Sequence, residues 1–194
     1  MATGNPGKYR ELSALLREAG FIPLPVSGQL LAEAPEEPTD DYRKAAVMKA
    51  KWTAARVGKL ALADDSGLEV EALDGSPGPQ SARFAAAAGG PVAALVTEMR
   101  RRGIERSPAR FRAVLAAATP AGQVRWAEGA WDGEVIVTPR GEGGFGYDPV
   151  FFVPTMGKTV AELSLQQKNL LSHRGQAFRR LLDQLRFLAT TLGS

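Results

Sequence analysis

A run of apolar residues meets two adjacent carboxylates in the stretch Leu60-Ala61-Leu62-Ala63-Asp64-Asp65-Ser66-Gly67. The apolar part predicts a buried strand, which would hold the groups at its end rigidly, and Gly67 predicts a turn after it. Two neighbouring carboxylates repel each other, so in a cleft they would either share a proton or be neutralised by a cation such as Mg²⁺. A solvated acidic turn is the alternative interpretation of the same residues.

The composition narrows the chemistry that this site can use. The 194 residues contain no cysteine and one histidine, His173, which excludes thiol catalysis and cysteine-based metal sites and leaves oxygen ligands for any metal. No stretch has the length of a membrane span and no signal peptide is evident, so we expect a cytoplasmic protein with a single domain over residues 1–194. The net charge of +3 suits a polyanionic partner, either a nucleoside triphosphate or nucleic acid.

The N-terminal stretch Thr3-Gly4-Asn5-Pro6-Gly7-Lys8 predicts a loop that leads into a helix. Asn5 suits the N-cap and Pro6 the first helical position, and Gly20 ends the leucine pattern. Such a loop offers backbone N–H groups to an anion, with the charge of Lys8 added. It is shorter than a Walker loop, and a plain capped helix is the alternative.

Helix and strand patterns alternate along the rest of the chain. We expect helices over about 40–57, from Pro91 to the arginines at 100–102, and over about 176–188. Strands are predicted for 22–26, for 68–73 as a partner of the strand before it, and for an antiparallel set at 111–115, 124–126 and 134–137, followed by 150–153. Thr159 and Ser164 begin patterns typical of capping boxes.

A glycine-rich segment at 140–149 precedes the last of these strands. Its glycines let the backbone approach a ligand, while Phe145 and Tyr147 offer stacking faces and Asp148 an acceptor. A merely flexible hairpin loop is the alternative.

Four motifs together resemble the inosine/xanthosine triphosphate pyrophosphatase family: Thr3-Gly-Asn-Pro-Gly-Lys8, Ala63-Asp-Asp-Ser-Gly67, Gly143-Gly-Phe-Gly-Tyr-Asp-Pro149 and Ser172-His-Arg-Gly175. The resemblance implies an α/β fold with an elongated central mixed sheet flanked by helices, and two lobes with an active-site cleft between them. It also implies a cytoplasmic homodimer that uses Mg²⁺ to hydrolyse ITP, dITP and XTP to the monophosphate and pyrophosphate. No membrane and no stable nucleic-acid partner is expected.

The resemblance also implies a role for individual residues. Asp65 matches the catalytic acid, described as metal ligand and proton acceptor, with Asp64 as its catalytic neighbour, and Glu37 matches a second metal carboxylate. The implied substrate contacts are Thr3, Gly4, Asn5, Pro6, Gly7, Lys8, Lys49, Ser66, Phe145, Gly146, Tyr147, Asp148, Lys168, His173 and Arg174.

Base selection would depend on the edge of the purine. A 6-keto purine presents an O6 acceptor and an N1–H donor, so Arg174 can donate to the first and Asp148 can accept from the second. Adenine presents the opposite pattern and would leave both groups unpaired. Guanine shares both edge groups with hypoxanthine, so its exclusion must act at the 2-amino group.

The sequence departs from the family pattern in three places. Only two residues precede Thr3, where the family has a strand, so either the true start lies upstream or the sheet lacks that strand. Lys44-Ala45 replaces Glu-Asn in the long helix, and Gln80 replaces an aromatic residue. Two other functions are considered: a septum-formation-type nucleotide pyrophosphatase of the same fold, against which His173 and Arg174 argue, and a basic nucleic-acid-binding protein.

Overall fold

A computed structural model describes residues 1–36, 38, 40–81, 84 and 89–192. These residues form the helices α1 (Pro6–Glu18), α2 (Gly28–Ala32), α3 (Tyr42–Val57), α4 (Pro91–Arg101), α5 (Leu165–Leu171) and α6 (His173–Leu192). The strands are β1 (Ala61–Val70), β2 (Pro77–Gly78), β3 (Arg106–Ala118), β4 (Val124–Ile136), β5 (Phe151–Val153) and β6 (Lys158–Thr159). They make one sheet in the order β2-β1-β3-β4-β5-β6.

The strand pairs of the sheet are antiparallel, and an isolated parallel bridge lies beside them. The pairs β1–β2, β4–β5 and β5–β6 are antiparallel, whereas Ala2 forms a parallel bridge with Ala63. The Ala2 N–H donates to the Leu62 carbonyl at 2.8 Å. Ala2 therefore lies beside β1 at this edge of the sheet.

The predicted turn at Gly67 is wrong, because β1 continues through both aspartates to Val70. Asp64 can lie inside a strand since cationic side chains neutralise it there, as described below. Residues 68–70 consequently belong to the same strand as 61–67 and pair with β2, through Leu68 opposite Gly78. Residues 71–73 form a 3₁₀ turn rather than strand.

The helix predictions are confirmed where a local cap marks the boundary. Asn5 caps α1, with its side-chain oxygen accepting from the N–H groups of Gly7 and Lys8. Asp41 caps α3 in the same way, and Gly58 ends that helix with a φ of 62°. Both capping boxes, at Thr159 and Ser164, are present.

The antiparallel strands are longer than predicted. The segments 124–126 and 134–137 largely belong to one strand, β4, because the glycines between them interrupt the side-chain pattern without interrupting the backbone. Residues 22–26 adopt no strand, in agreement with the two prolines they contain.

The chain forms two compact units, each assembled from separate segments. Unit 1 comprises residues 1–65, 113–129 and 173–194, and unit 2 comprises 66–112 and 130–172. In unit 1, α1 and α6 enclose a leucine-rich core that includes Leu12 and Leu181, while the alanines of α3 pack closely on β1 and β3. Unit 2 has its own core around Phe111, Trp131 and Phe151.

Candidate active site

Asp64 is a buried carboxylate held between two cations in unit 1. Its side chain has no accessible surface, yet Arg174 Nε donates to Oδ2 at 3.0 Å and Lys8 Nζ lies 2.5 Å from Oδ1. Burial alone would raise the pKa of Asp64, but the charges of Arg174 and Lys8 outweigh it and hold the pKa well below its usual range. Asp64 is therefore ionised and fully engaged, which suits an anchoring role.

Arg174 has a second carboxylate partner, Glu11 on α1. Arg174 Nη1 donates to Glu11 Oε2, and all three side chains in this chain of contacts are at most 3% accessible. Burial lowers the pKa of Arg174, but Asp64 and Glu11 reverse that effect and raise it. Two cations and two anions, Lys8, Arg174, Asp64 and Glu11, thus form a cluster in which the charges balance.

Asp65 differs from its neighbour because it keeps contact with solvent. Its side chain is 15% accessible, and Lys49 Nζ lies 3.9 Å from its Oδ1. Lys49 also donates to the backbone carbonyl of Asp64 at 3.2 Å, which ties α3 to this point of β1. Asp65 is accordingly the member of the pair whose side chain is accessible to solvent.

The N-terminal loop offers less backbone to an anion than its sequence suggests. The N–H groups of Gly7 and Lys8 donate to Asn5 Oδ1 at 2.9 and 3.1 Å, so the first turn of α1 is capped by its own side chain. Pro6 has no N–H, and Thr3 Oγ1 accepts from the Asn5 N–H at 3.2 Å. What the loop can present to phosphate is chiefly the Lys8 ammonium and the side-chain NH₂ of Asn5.

The glycine-rich segment of unit 2 holds a second buried ion pair. Asp148 Oδ2 accepts from the Phe145 N–H at 2.8 Å and from Lys168 Nζ, and both charged side chains are at most 4% accessible. The Lys168 ammonium lies 4.5 Å from the centre of the Phe145 ring. Phe145, Asp148 and Lys168 therefore form one rigid group, with α5 supplying the lysine.

Tyr147 and Gly144 fix the shape of that segment. The Tyr147 hydroxyl donates to the Ser81 carbonyl at 3.1 Å, and burial raises the pKa of Tyr147 to about 12. A Cβ on Gly144 would lie 2.0 Å from Asp148 Oδ2, and its φ of +70° also disfavours a side chain. The predicted loop is thus an ordered structure rather than a flexible hairpin.

The predicted site residues divide between the two units. Unit 1 contains residues 3–8, Lys49, the two aspartates, and the His173-Arg174 pair at the start of α6; unit 2 contains Ser66, residues 145–148 and Lys168. Glu37, the predicted second metal ligand, lies outside the described residues. Among the described residues, no group of three or more acidic or histidine side chains could hold a metal.

Arg174 and Asp148, the predicted base readers, are each 2% exposed. Each already bonds a partner within its own unit, Asp64 and Glu11 for Arg174 and Lys168 for Asp148. To contact a base, each group would have to form a further hydrogen bond while keeping these partners. The Arg174 guanidinium has five N–H donors for this. Their contact with a base stays a prediction.

The structure shows the surroundings of two of the departures from the family pattern. Lys44 is exposed and pairs with Asp41 at 3.6 Å, while Ala45 is fully buried. Gln80 is exposed.

Sequence reasoning missed Glu11 as a site residue. The signal that was available is its spacing, because Glu11 lies one helical turn after Lys8 and beside Leu12 on the buried face of α1. A carboxylate at a buried helical position requires a cation, but the chain does not show that this cation is Arg174, 163 residues away.

This fold is an α/β architecture that places a buried carboxylate cluster next to an accessible aspartate. The chain belongs to the Ham1 family, and the match to this family extends over residues 1–184. It is 46% identical over 185 residues to a dITP/XTP pyrophosphatase of Thermus thermophilus, covering 94% of this chain and 89% of that protein. A dITP/XTP pyrophosphatase of Ralstonia nicotianae is 45% identical over 194 residues, with 96% and 95% covered.

A solved structure agrees with these relatives. The Ham1 protein of Staphylococcus aureus superimposes with a TM-score of 0.75 at 33% identity, over 95% of this chain and 96% of that one. The α/β fold class predicted from the sequence is thereby confirmed, and so is the family resemblance.

Proposed function

We propose that this protein hydrolyses the non-standard purine nucleoside triphosphates ITP, dITP and XTP to the monophosphate and pyrophosphate, with Mg²⁺ as cofactor. The observation that carries the proposal is the division between two adjacent carboxylates: Asp64 is buried and neutralised, while Asp65 stays accessible beside Lys49. The similarity to proteins named dITP/XTP pyrophosphatases supports this choice of substrate.

In the proposed reaction, Asp65 accepts a proton from the water that attacks the α-phosphorus. A bond forms between the water oxygen and that phosphorus, and the bond to the bridging oxygen of the β-phosphate breaks, so pyrophosphate leaves with the electron pair. Lys8 and Lys49 compensate negative charge on the phosphates, which is the main contribution that a protein makes to phosphoryl transfer.

The residues present fit a magnesium ion that is completed by the substrate. Mg²⁺ is commonly bound by one or two carboxylates together with substrate phosphates and water, and Asp65 provides one carboxylate on a partly accessible side chain. Glu37 would provide the other. When bound, the ion would neutralise charge on the phosphate oxygens as a Lewis acid.

Base selection is proposed to rest on Arg174 and Asp148, with Phe145 stacking on the purine and the remaining predicted contacts fixing the sugar and phosphates. Among the described residues, no helix is long and apolar enough to cross a membrane. A single domain, a homodimer and a cytoplasmic location remain part of the proposal.

Measuring pyrophosphate release from ITP, XTP, GTP and ATP in the presence of Mg²⁺ tests the proposal. We expect kcat/KM for ITP and XTP to exceed that for ATP by about 10⁴-fold, because adenine presents a donor to Arg174 and an acceptor to Asp148, the opposite of the pattern that these groups match. Equal rates for all four nucleotides would contradict the specificity, and turnover of modified pyrimidine nucleotides alone would favour the septum-formation type.

Asp65→Asn tests the catalytic assignment. The amide cannot accept the proton, so we expect kcat to fall by about 10³-fold, while titration calorimetry still detects nucleotide binding in the variant. Asp183→Asn, at a carboxylate on α6 that is 95% exposed, is the matched control and should behave like the wild type. Near-normal turnover by Asp65→Asn would remove this residue from the role.

A further inference from the structure

The first turn of α6 lies unusually close to β4, at Gly129. A Cβ added to Gly129 would lie 2.1 Å from the carbonyl oxygen of His173, 2.7 Å from the backbone nitrogen of Ala177 and 3.0 Å from Cβ of Gln176. The two shortest of these distances are to helix backbone, which cannot move aside as a flexible side chain can. The space for any side chain at residue 129 is therefore occupied by the helix.

Glycine is required at residue 129 because of the limited space and not because of the backbone conformation. Gly129 is absent from the glycines with positive φ, so alanine would suit the strand backbone at this position. The helix cannot readily retreat either, since Phe178, Leu181, Leu185 and Leu188 bury its next turns in the core of unit 1. A side chain at residue 129 would thus displace the start of α6 selectively.

Arg174 lies in the turn of α6 that a side chain at residue 129 would displace. It is the second residue of α6, and its Nε reaches Asp64 Oδ2 at 3.0 Å from a fully buried position. On its other side, the guanidinium is held by Glu11 of α1. The position of Arg174 is consequently set by a steric limit at Gly129 and by an ionic contact at Glu11.

We propose that Gly129 and Glu11 are positioning residues that together set the Arg174 guanidinium against Asp64, and so fix the strand position from which Asp65 acts. This inference rests on the proposed function for its effect on turnover. The placement of Arg174 itself is independent of any substrate and can be tested without one.

The substrate-free test observes the Arg174 Nε–H group by ¹H–¹⁵N NMR, with the signal identified by its loss in Arg174→Lys. In Gly129→Ala we expect this signal to shift and to exchange faster with solvent. Gly133→Ala is the matched control, because its Cβ would meet the Phe151 ring at 2.6 Å in unit 2 and not α6. Gly28→Ala, where nothing lies within 4 Å, controls for the substitution alone.

The activity test is a double-mutant cycle with ITP and Mg²⁺. Gly129→Ala should lower kcat/KM by about 10²-fold, the effect of displacing a catalytic geometry by about 1 Å. In the Arg174→Lys background the same substitution should cost less than about 3-fold, because the group through which it acts is gone. Gly133→Ala should retain its full single-mutant effect in that background.

Glu11→Gln repeats both tests without adding atoms, and it decides the matter if Gly129→Ala does not fold. An unchanged Arg174 signal in Gly129→Ala and in Glu11→Gln, or effects on kcat/KM that simply add to those of Arg174→Lys, would overturn the proposal. If the wild type fails to hydrolyse ITP, the proposed function is wrong, and the NMR experiment still decides the placement of Arg174.

Discussion

Asp64 and Asp65 are neighbours in the chain, but their surroundings give them different tasks. Taking a carboxylate out of water costs several kcal/mol unless cations and hydrogen bonds compensate it. Asp64 has that compensation from Lys8 and Arg174, whereas Asp65 avoids the cost by remaining partly accessible. The pair does not share a proton, because one member is already neutralised.

Removing the charge of Asp64 should destabilise the fold. In Asp64→Asn, the buried guanidinium of Arg174 would lose one of its two carboxylates, and we expect the free energy of unfolding to fall by about 3–5 kcal/mol. Urea unfolding followed by circular dichroism measures the change. Asp132→Asn breaks the exposed pair with Arg110 and should cost less than about 1 kcal/mol; equal losses in the two variants would contradict the role of Asp64.

Tyr147 should make stability depend on pH in the alkaline range. Its pKa is about 12 in the folded chain, above the ordinary value of 10.0, because the buried hydroxyl is held neutral. The resulting stabilisation is complete below pH 10 and is lost as the pH rises through 12. Tyr147→Phe removes the hydrogen bond to Ser81, so we expect the free energy of unfolding at neutral pH to fall by about 1 kcal/mol.

An ultraviolet difference titration between the wild type and Tyr147→Phe isolates this group from Tyr9 and Tyr42. We expect a midpoint near pH 12, and unfolding experiments should show a flatter decline above pH 10 in the variant. A difference titration centred at pH 10 would show that the hydroxyl is exposed.

At the scale of elements, the glycine-rich segment before β5 is shaped by its glycines at defined points. A Cβ added to Gly141 or Gly143 would lie 2.6–2.8 Å from backbone atoms of Ala161. The Gly143 N–H donates to the Ala161 carbonyl at 3.0 Å. The segment therefore packs against the 3₁₀ turn at Val160–Glu162. This packing holds Asp148 where Lys168 can reach it.

Gly144→Ala should break that arrangement. The new Cβ would lie 2.0 Å from Asp148 Oδ2, so we expect Asp148 to leave Lys168 and KM for ITP to rise by at least about 10-fold. Gly157→Ala is the matched control, since residue 157 has a similar φ of +64° with open space around it. Both variants bear the strain of a side chain in the left-handed region; a change in KM that is equal in the two would assign the effect to strain alone.

The elements that sequence predicted well are those with local boundary signals. Asn5, Asp41 and Ser164 each cap a helix through hydrogen bonds to residues two or three positions away, and such signals are complete within a short window. The course of β1 was not predictable in this way. Two aspartates inside a strand contradict local propensity, and the strand can continue because Lys8 and Arg174 neutralise Asp64, although Arg174 lies 110 residues away.

At the scale of the whole molecule, contacts between residues far apart in the sequence also limited what could be predicted of the candidate site. The motifs predicted which residues would carry the chemistry, because their types and order are visible in the sequence. The partners could not be predicted, since the buried cluster joins α1, β1 and α6 and is defined only when all three pack together. Glu11 and Gly129 were missed for this reason.

The surface charge also has to be judged for the whole molecule. The chain carries a net charge of +3, yet several arginines of unit 2 are paired with carboxylates: Arg101 and Arg102 with Glu98, Arg106 with Glu134, Arg110 with Asp132 and Arg112 with Glu69. Binding to nucleic acid without sequence preference requires several cations that neutralise phosphates. Local pairing reduces the charge that these arginines can offer to phosphates.

We therefore expect weak retention of the protein on duplex DNA, with elution below about 0.15 M salt and a slope of log K against log salt of about 1–2 in magnitude. Neutralising two of the paired carboxylates, in Glu98→Gln/Glu134→Gln, should release the cations of Arg101, Arg102 and Arg106 and make the slope steeper by about 2–3. The double variant thus shows that the assay can detect free arginines on this surface. A slope above about 5 for the wild type, with no hydrolysis of ITP, would instead favour the nucleic-acid-binding alternative.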